Sequence, residues 1–375
     1  MYKCSLISNG LCITSSLRIK FCCRFKSKEK IYFDKPLKDI LNNSYLLDIK
    51  SKNSKYFDEC KKCYEQEINS NSSIRLNNRE NFEEKNEGKI QYLEVSLSKK
   101  CNLKCLSCSS DQSTAWQNDD IELSKNNELK RPTNQKYESL NFDFFDTDSL
   151  KYLRYLKVLG GEPFINNDIL KLFEKIEFKE KINLEIYTNG TIFPNDKILQ
   201  ELKKFKQINI FLSIDSVGKR NEYIRYPSNW NTIEENTKKY LKIQKENPKF
   251  IIGLSTCLSA LSILYIPELI KWWESLGNKL TRYTHFIYIT DPKYIRCDVL
   301  PKEILDICIQ NIKNIKIKNE KLKLNRIIKS LQNFKRESTL EIFKEYINET
   351  DKLRNIQMKD YLPELNEILE KYENN

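Results

Sequence analysis

A chain of 375 residues can bury a full core, either as one barrel-like domain with appendages or as two domains. Hydrophobic residues at 39% and aromatics at 11% are a globular composition, which argues against a disordered or fibrous chain. The formal charge of +12 arises from 64 basic and 52 acidic residues that are interleaved rather than gathered in runs, so it reads as a solvated mixed surface and not as a nucleic-acid-binding face.

In chain order, Leu6–Leu17 has the apolar character of a signal-peptide core, but Asn9, Gly10 and Cys12 interrupt it and no small-residue cleavage site follows. No apolar stretch reaches the roughly 20 residues that a membrane span needs. A cytoplasmic protein without membrane contact is the expectation. There the 12 cysteines meet a reducing environment, in which clustered thiols are more often metal ligands or catalytic groups than disulfides.

Residues 1–88 read as a small cysteine-bearing module: a strand-like LCITSSL, the pair Cys22–Cys23, and a short helix starting near Asp34. From residue 89 to 300 the pattern changes to short apolar runs separated by helical stretches, the mark of a parallel sheet covered by helices. Six strands are predicted, at Ile90–Leu97, Tyr155–Leu159, Asn183–Thr188, Ile208–Ile214, Ile251–Cys257 and His285–Ile289. The helices between them are predicted at Ile169–Phe178, Asp196–Phe205, Asn229–Lys245 and Ile266–Leu276, with Asp196 and Asn229 as N-caps and Pro267 in a first turn. This alternation predicts an α/β fold, a partial (β/α)6 TIM-like barrel, in which chemistry belongs at the carboxyl ends of the strands. Residues 118–141 are a polar excursion, and residues 301–375 form a charged helical extension.

Cys101, Cys105 and Cys108 form CxxxCxxC directly after the first predicted barrel strand. Three thiolates in one tight loop can hold three irons of a 4Fe-4S cluster and leave the fourth open, whereas structural sites use four protein ligands. The alternative is a zinc site completed by a distant residue. His285, the single histidine, gives that reading little help, and zinc sites usually pair CxxC units.

At this triplet the sequence resembles the radical S-adenosylmethionine (SAM) superfamily. The second strand ends in KVLGGEPFIN, so Gly160, Gly161, Glu162 and Pro163 match the GGEP motif that contacts the amino group of SAM in that family. The third ends in YTNG with Asn189, and the fourth continues into SIDSVGKRNEYIR with Ser213, Asp215 and Arg225. The resemblance implies that these polar groups line the ribose and carboxylate of SAM, chemistry that suits hydroxyl, amide and guanidinium groups. One departure stands at Ser107, where the family usually places an aromatic residue that packs on adenine.

The N-terminal module is similar to the SPASM/twitch auxiliary module, in which a first cysteine precedes a hairpin ending in Cys or Cys-Cys. On that likeness Cys4, Cys22, Cys60 and Cys63 would hold a second, auxiliary 4Fe-4S cluster closed by four thiolates, with zinc as the alternative metal. The module lies before the barrel rather than after it, and Ser15 and Ser16 stand where a hairpin glycine is expected. Cys12, Cys297 and Cys308 are read as structural, and the segment DKLRNIQMKDYLPELNEIL also resembles the tail of twitch-type proteins.

The resemblance implies an enzyme in which the reduced cluster cleaves SAM to methionine and a 5′-deoxyadenosyl radical, which abstracts a hydrogen from the substrate. A peptide is the preferred substrate, and a flavodoxin or ferredoxin the expected electron donor. The competing reading from another class is a zinc-binding structural or RNA-associated interaction protein. A third is a degenerate fold that binds the cluster without turnover.

Overall fold

The computed structural model describes residues 3–55, 57–70, 73–78, 82–129, 131–132, 139–316, 321–333 and 339–373. Parts of the predicted excursion and of the C-terminal extension lie outside these residues. Eight strands form one sheet: β1 (Gly10–Ile13), β2 (Ile19–Lys20), β3 (Tyr92–Ser96), β4 (Tyr155–Leu159), β5 (Asn183–Thr188), β6 (Gln207–Ser213), β7 (Phe250–Leu258) and β8 (Thr284–Tyr288). Their order is β2-β1-β3-β4-β5-β6-β7-β8, so β2 and β8 are the two ends and the sheet is an open α/β arrangement rather than a closed barrel. The pairs β1/β3, β3/β4, β4/β5 and β7/β8 are parallel, and β1/β2 is an antiparallel hairpin.

The six predicted barrel strands are β3–β8, each displaced by no more than a few residues. The strand-like LCITSSL is shorter than expected, because β1 ends at Ile13 and the chain turns. No glycine serves that turn; Leu17 takes the left-handed conformation at φ 56° instead. Its side chain is buried, so packing offsets the steric cost of placing a branched residue there. The hairpin gives the N-terminal segment the partner it needs, as Leu11 and Ile13 lie beside Leu93 and Val95 across a parallel ladder.

The chain divides into two compact units. The first comprises residues 1–100, 136–186 and 194–209. Its core lies on one face of the strands, where Leu93, Val95, Leu156, Val158, Leu184 and Ile186 are buried; the helices Asp168–Glu174 and Asp196–Leu202 contribute Phe173 and Leu202. On β4 and β5 the alternate residues Tyr155, Lys157, Asn183 and Glu185 are less buried, the period-two pattern of a strand with one packed face. The helix Asp168–Glu174 stops short of the predicted Phe178. At Asp196 the expected N-cap moves back one residue, because the Asn195 side chain accepts from the Ile198 N–H. The short N-terminal helix starts at Leu37 rather than near Asp34.

The second unit comprises residues 101–135, 187–193 and 210–375. Its long helix Trp230–Glu246 is capped by Asn229, as expected, and buries Ile233, Tyr240 and Leu241. Pro267 lies in the first turn of Ile266–Ser275. The C-terminal extension is a series of helices, Lys302–Lys313, Lys321–Gln332, Leu340–Arg354 and Pro363–Glu373 among them. Midway along β7, Gly253 admits a close backbone approach: a Cβ there would stand 2.1 Å from the Tyr283 carbonyl oxygen and 3.0 Å from the Phe211 ring. Gly253→Ala is therefore expected to force β8 and Phe211 away and to cost about 1–3 kcal/mol. A lower urea midpoint with an unchanged slope is the expected reading, and a wild-type midpoint would contradict it.

Candidate functional site

The cysteine loop runs through the second unit without regular secondary structure, so its peptide groups need partners from elsewhere. The Lys104 and Leu106 N–H groups donate to the Tyr226 and Ile224 carbonyls at 2.5 and 2.8 Å. The carbonyl of Leu103 accepts from Ser113 Oγ at 2.7 Å, that of Cys105 from Trp116 Nε1 at 3.0 Å, and that of Leu106 from the Tyr346 hydroxyl at 2.9 Å. Arg354 donates to the Lys104 carbonyl, and Arg131 Nη2 to that of Cys108 at 2.8 Å.

Cys105 and Cys108 share a thiol hydrogen bond, which pushes Cys105 up and Cys108 down, so Cys108 is the more acidic of the pair. The Arg225 charge favours the thiolate at both. Its Nη1 stands 4.0 Å from Cys105 Sγ, and its Nε is 2.8 Å from Asp215 Oδ2. Burial opposes the Arg225 charge, yet Asp215 and then Cys105 overcome it and hold the guanidinium protonated. The other Asp215 oxygen accepts the Cys257 N–H at 2.7 Å, tying this ion pair to β7. Burial and the Asp215 charge push the Cys257 thiol up to about 12, so it is neutral near pH 7.

Asn189, after β5, donates to Asn102 Oδ1 at 2.9 Å and approaches Cys101 Sγ at 3.9 Å, while its own oxygen accepts from the Thr191 N–H and hydroxyl. Ser213 is half-buried at the end of β6. The structure thus brings Asn189, Asp215 and Arg225 to the cysteine loop itself. Asp215 and Arg225, expected as SAM contacts, are engaged with each other and with Cys105.

Within the first unit, Gly160 and Gly161 follow β4 at φ 93° and 45°. A Cβ on Gly161 would stand 1.9 Å from the carbonyl oxygen of Lys100, the residue before Cys101, so the turn excludes any side chain. Glu162 donates its N–H to the same Lys100 carbonyl at 2.8 Å and accepts the Phe164 N–H at 3.1 Å.

The N-terminal thiols lie within electrostatic reach of one another: Cys4 and Cys63 each raise Cys22 and Cys60, after burial as the main cause. Burial pushes the Cys60 thiol up to about 12. Backbone N–H groups are turned towards the sulfurs, from Ile7 and Leu6 at Cys4, from Arg24 at Cys22 and from Arg75 at Cys63. The buried Asn53 side chain clips the Cys4 peptide at 3.0 and 2.9 Å. Burial disfavours a free thiolate while the N–H donors favour one, a combination that suits thiolates whose charge is met by bound iron. Among the described residues, no three His, Cys, Asp or Glu side chains converge as tightly as a single metal ion requires. A four-iron cluster, with a separate iron at each corner, spaces its thiolates more widely.

The Radical SAM superfamily model matches residues 95–272, a span that holds the cysteine triplet, the Gly160–Gly161–Glu162 turn and the strand ends bearing Asn189, Ser213 and Asp215. The chain carries a radical SAM domain. That family's cofactors are a 4Fe-4S cluster and SAM. Among curated relatives, the chain is 29% identical over 135 residues to GTP 3′,8-cyclase of Aliarcobacter butzleri, covering 35% of this chain and 36% of that protein. To the enzyme of the same name from Desulforamulus reducens it is 29% identical over 130 residues, covering 34% and 35%. The chain thus spans about a third of the length of these relatives. Among solved structures, it is similar to anSMEcpe with bound AdoMet, at 17% identity and a TM-score of 0.41 over 57% of this chain and 55% of that one. It is also similar to SuiB of Streptococcus suis bound to S-adenosylmethionine, at 18% identity and a TM-score of 0.35 over 58% and 43%.

Sequence reasoning missed the residues that grip the loop of the radical SAM domain: Ser113, Trp116, Arg131, Tyr346 and Arg354. Trp116, close after Cys108, is a large residue in a polar stretch and could have been suspected. Tyr346 lies 240 residues from its partner Leu106, and no spacing signals it. The Asp215–Arg225 pair is almost wholly buried, with side-chain exposures of 1% and 8%. Removing one partner of such a pair leaves an uncompensated buried charge, so Asp215→Asn is expected to cost roughly 3 kcal/mol. Asp215→Leu with Arg225→Met should cost less; equal losses in urea unfolding of the metal-free protein would contradict the pairing.

Proposed function

We propose that this protein is a radical SAM enzyme that modifies a peptide and uses an auxiliary iron-sulfur cluster held by its N-terminal module. The observation that carries this reading is the cysteine loop of the radical SAM domain, with Arg225 held by Asp215 and placed against Cys105. Cys101, Cys105 and Cys108 would hold a 4Fe-4S cluster. When bound there with SAM, that cluster supplies the electron that cleaves SAM to methionine and a 5′-deoxyadenosyl radical, the species that removes a substrate hydrogen.

The chain's own residues bind and orient. Gly160 and Gly161 let the turn after β4 close on the Ser98 and Lys100 carbonyls, a turn that would meet the methionine end of SAM with backbone groups, and Glu162 would offer its buried carboxylate to the amino group. Ser213 would present a hydroxyl for the ribose and carboxylate, while Asn189, whose amide bonds Asn102 and Thr191, would reach SAM only by exchanging one of those partners. Arg225, locked by Asp215, holds a positive charge at a ligand sulfur, which favours the thiolate that binds iron. Cys4, Cys22, Cys60 and Cys63 in residues 1–88 would hold the auxiliary cluster, residues 89–300 form the SAM-binding domain, and residues 301–375 its helical extension. A flavodoxin or ferredoxin supplies the electron.

Charge in the first unit favours a peptide over a nucleoside triphosphate. Across β1, β3, β4 and β5 the register aligns Cys12 with Glu94, Glu94 with Lys157, and Lys157 with Glu185. Lys157 Nζ is 3.7 Å from Glu94 Oε2, and burial pushes the Glu185 carboxyl up. On the reading that this row faces the substrate, two carboxyl groups against one ammonium would suit donor or cationic groups better than a triphosphate. The nucleotide reading remains the second one, on the names of the GTP 3′,8-cyclase relatives. SAM cleavage stimulated by GTP would favour it, and the peptide reading expects no such stimulation.

Cys105→Ala is expected to abolish 5′-deoxyadenosine formation by removing a cluster ligand, and retained formation would defeat the assignment. Cys60→Ala should lower iron from about eight to about four per chain while SAM cleavage without substrate persists. Unchanged iron in that variant would remove the auxiliary cluster from the account.

A further inference from the structure

The grip on the cysteine loop contains a charge that the proposed chemistry does not use. Arg131 is buried, with 2% of its side chain exposed. Each of its nitrogens has a partner: Nε donates to Asp120 Oδ1 at 2.6 Å, Nη1 to the Tyr294 hydroxyl at 2.8 Å and Nη2 to the Cys108 carbonyl at 2.8 Å. The guanidinium lies 4.6 Å from the Trp116 ring centroid and 5.8 Å from that of Tyr346, two residues that themselves donate to loop carbonyls. Asp120, wholly buried, accepts the Ser110 N–H at 2.6 Å with its other oxygen. The ion pair therefore spans the main chain just past the third cysteine, with its positive end on the cysteine's own peptide.

Such a group does two things at once. Its fixed fork sets the orientation of the Cys108 peptide, a task for which a flexible ammonium is less suited. It also places a desolvated cation beside a ligand of the cluster, where little solvent screens it. Iron-sulfur reduction potentials respond to net charge, to hydrogen bonding and to solvent exposure. Reduction adds an electron, so a cation at this position stabilises the reduced form. Arg225 acts on Cys105 from one partner segment, and Arg131 acts on Cys108 from another.

We propose that Arg131 is a positioning residue that raises the midpoint potential of the cluster held by Cys101, Cys105 and Cys108. This rests on the reading that those cysteines hold a cluster. Asp120 keeps the cation in place, and the aromatic rings of Trp116 and Tyr346 keep water from it.

The test is a potentiometric titration, followed by EPR, of the cluster whose signal changes on adding SAM, in the anaerobically reconstituted full chain. Arg131→Gln removes the charge and keeps a donor for the Cys108 carbonyl. Its midpoint should fall by at least about 59 mV, a tenfold shift in a one-electron reduction equilibrium. Arg131→Lys should stay close to the wild-type potential. If Arg131→Gln loses the cluster because Asp120 is left unpaired, the same reading is taken on Asp120→Asn with Arg131→Gln, which should also lie below wild type. A neutral variant that keeps the cluster at the wild-type potential overturns the proposal. Loss of the cluster in all three variants also overturns it, because the role would then be structural alone. Wild-type protein without a SAM-sensitive cluster would instead defeat the functional reading beneath it.

Discussion

The cysteine loop has no regular secondary structure to satisfy its peptide groups, and this constraint organises the second unit. The N–H groups of Lys104 and Leu106 are met by the segment that follows Asp215, and side chains meet the carbonyls of Leu103, Lys104, Cys105, Leu106 and Cys108. An unmet buried peptide group costs about 1–3 kcal/mol, so the sum is large compared with the stability of a domain. The helix Leu340–Arg354 supplies two of these donors, Tyr346 and Arg354, which explains why a charged C-terminal extension packs with aromatic and guanidinium groups turned inward. The thiols meet Arg225 at Cys105 and Asn189 at Cys101.

The same logic extends to charge. Three buried arginines, at 131, 225 and 354, contact the loop that bears the three cysteines. Two of them are locked by a carboxylate, Asp120 or Asp215, each of which also accepts a backbone N–H. Every such carboxylate therefore fixes a cation and a peptide together. In the first unit the N-terminal thiols are handled differently: all are buried, Cys4, Cys22 and Cys63 receive backbone N–H donors at sulfur, and Asn53 clips the Cys4 peptide. The contrast is between a loop whose carbonyls are held by side chains and N-terminal cysteines of which three receive main-chain N–H groups at sulfur.

Much of this was legible in the sequence, and the limits have physical causes. The strands β3–β8 were visible because short apolar runs alternating with helical periodicity report burial directly. Asn229 was legible as a cap, whereas the cap expected at Asp196 is supplied by Asn195, since two adjacent residues of the same chemistry cannot be separated by propensity. β1 and β2 form an antiparallel hairpin, and where a glycine was expected in its turn Leu17 takes the left-handed conformation, set by burial rather than propensity. Gly161 declared itself, because a rare glycine pair at a strand end marks a backbone approach. Asp215 and Arg225 were expected as SAM contacts, and their engagement with each other and with Cys105 carries no signal in the sequence. The contacts of Tyr346 and Arg131 join segments far apart in the chain and carry no local signal.

The central claim, that Cys101, Cys105 and Cys108 carry a cluster able to cleave SAM, is tested most directly on the unaltered chain. The protein is purified and reconstituted without oxygen, analysed for iron, sulfide and zinc, and then incubated with SAM and a strong reductant. Iron and sulfide in equal amounts, together with 5′-deoxyadenosine, are the expected result. Tightly bound zinc with no iron and no cleavage would make the cysteines structural and contradict the account.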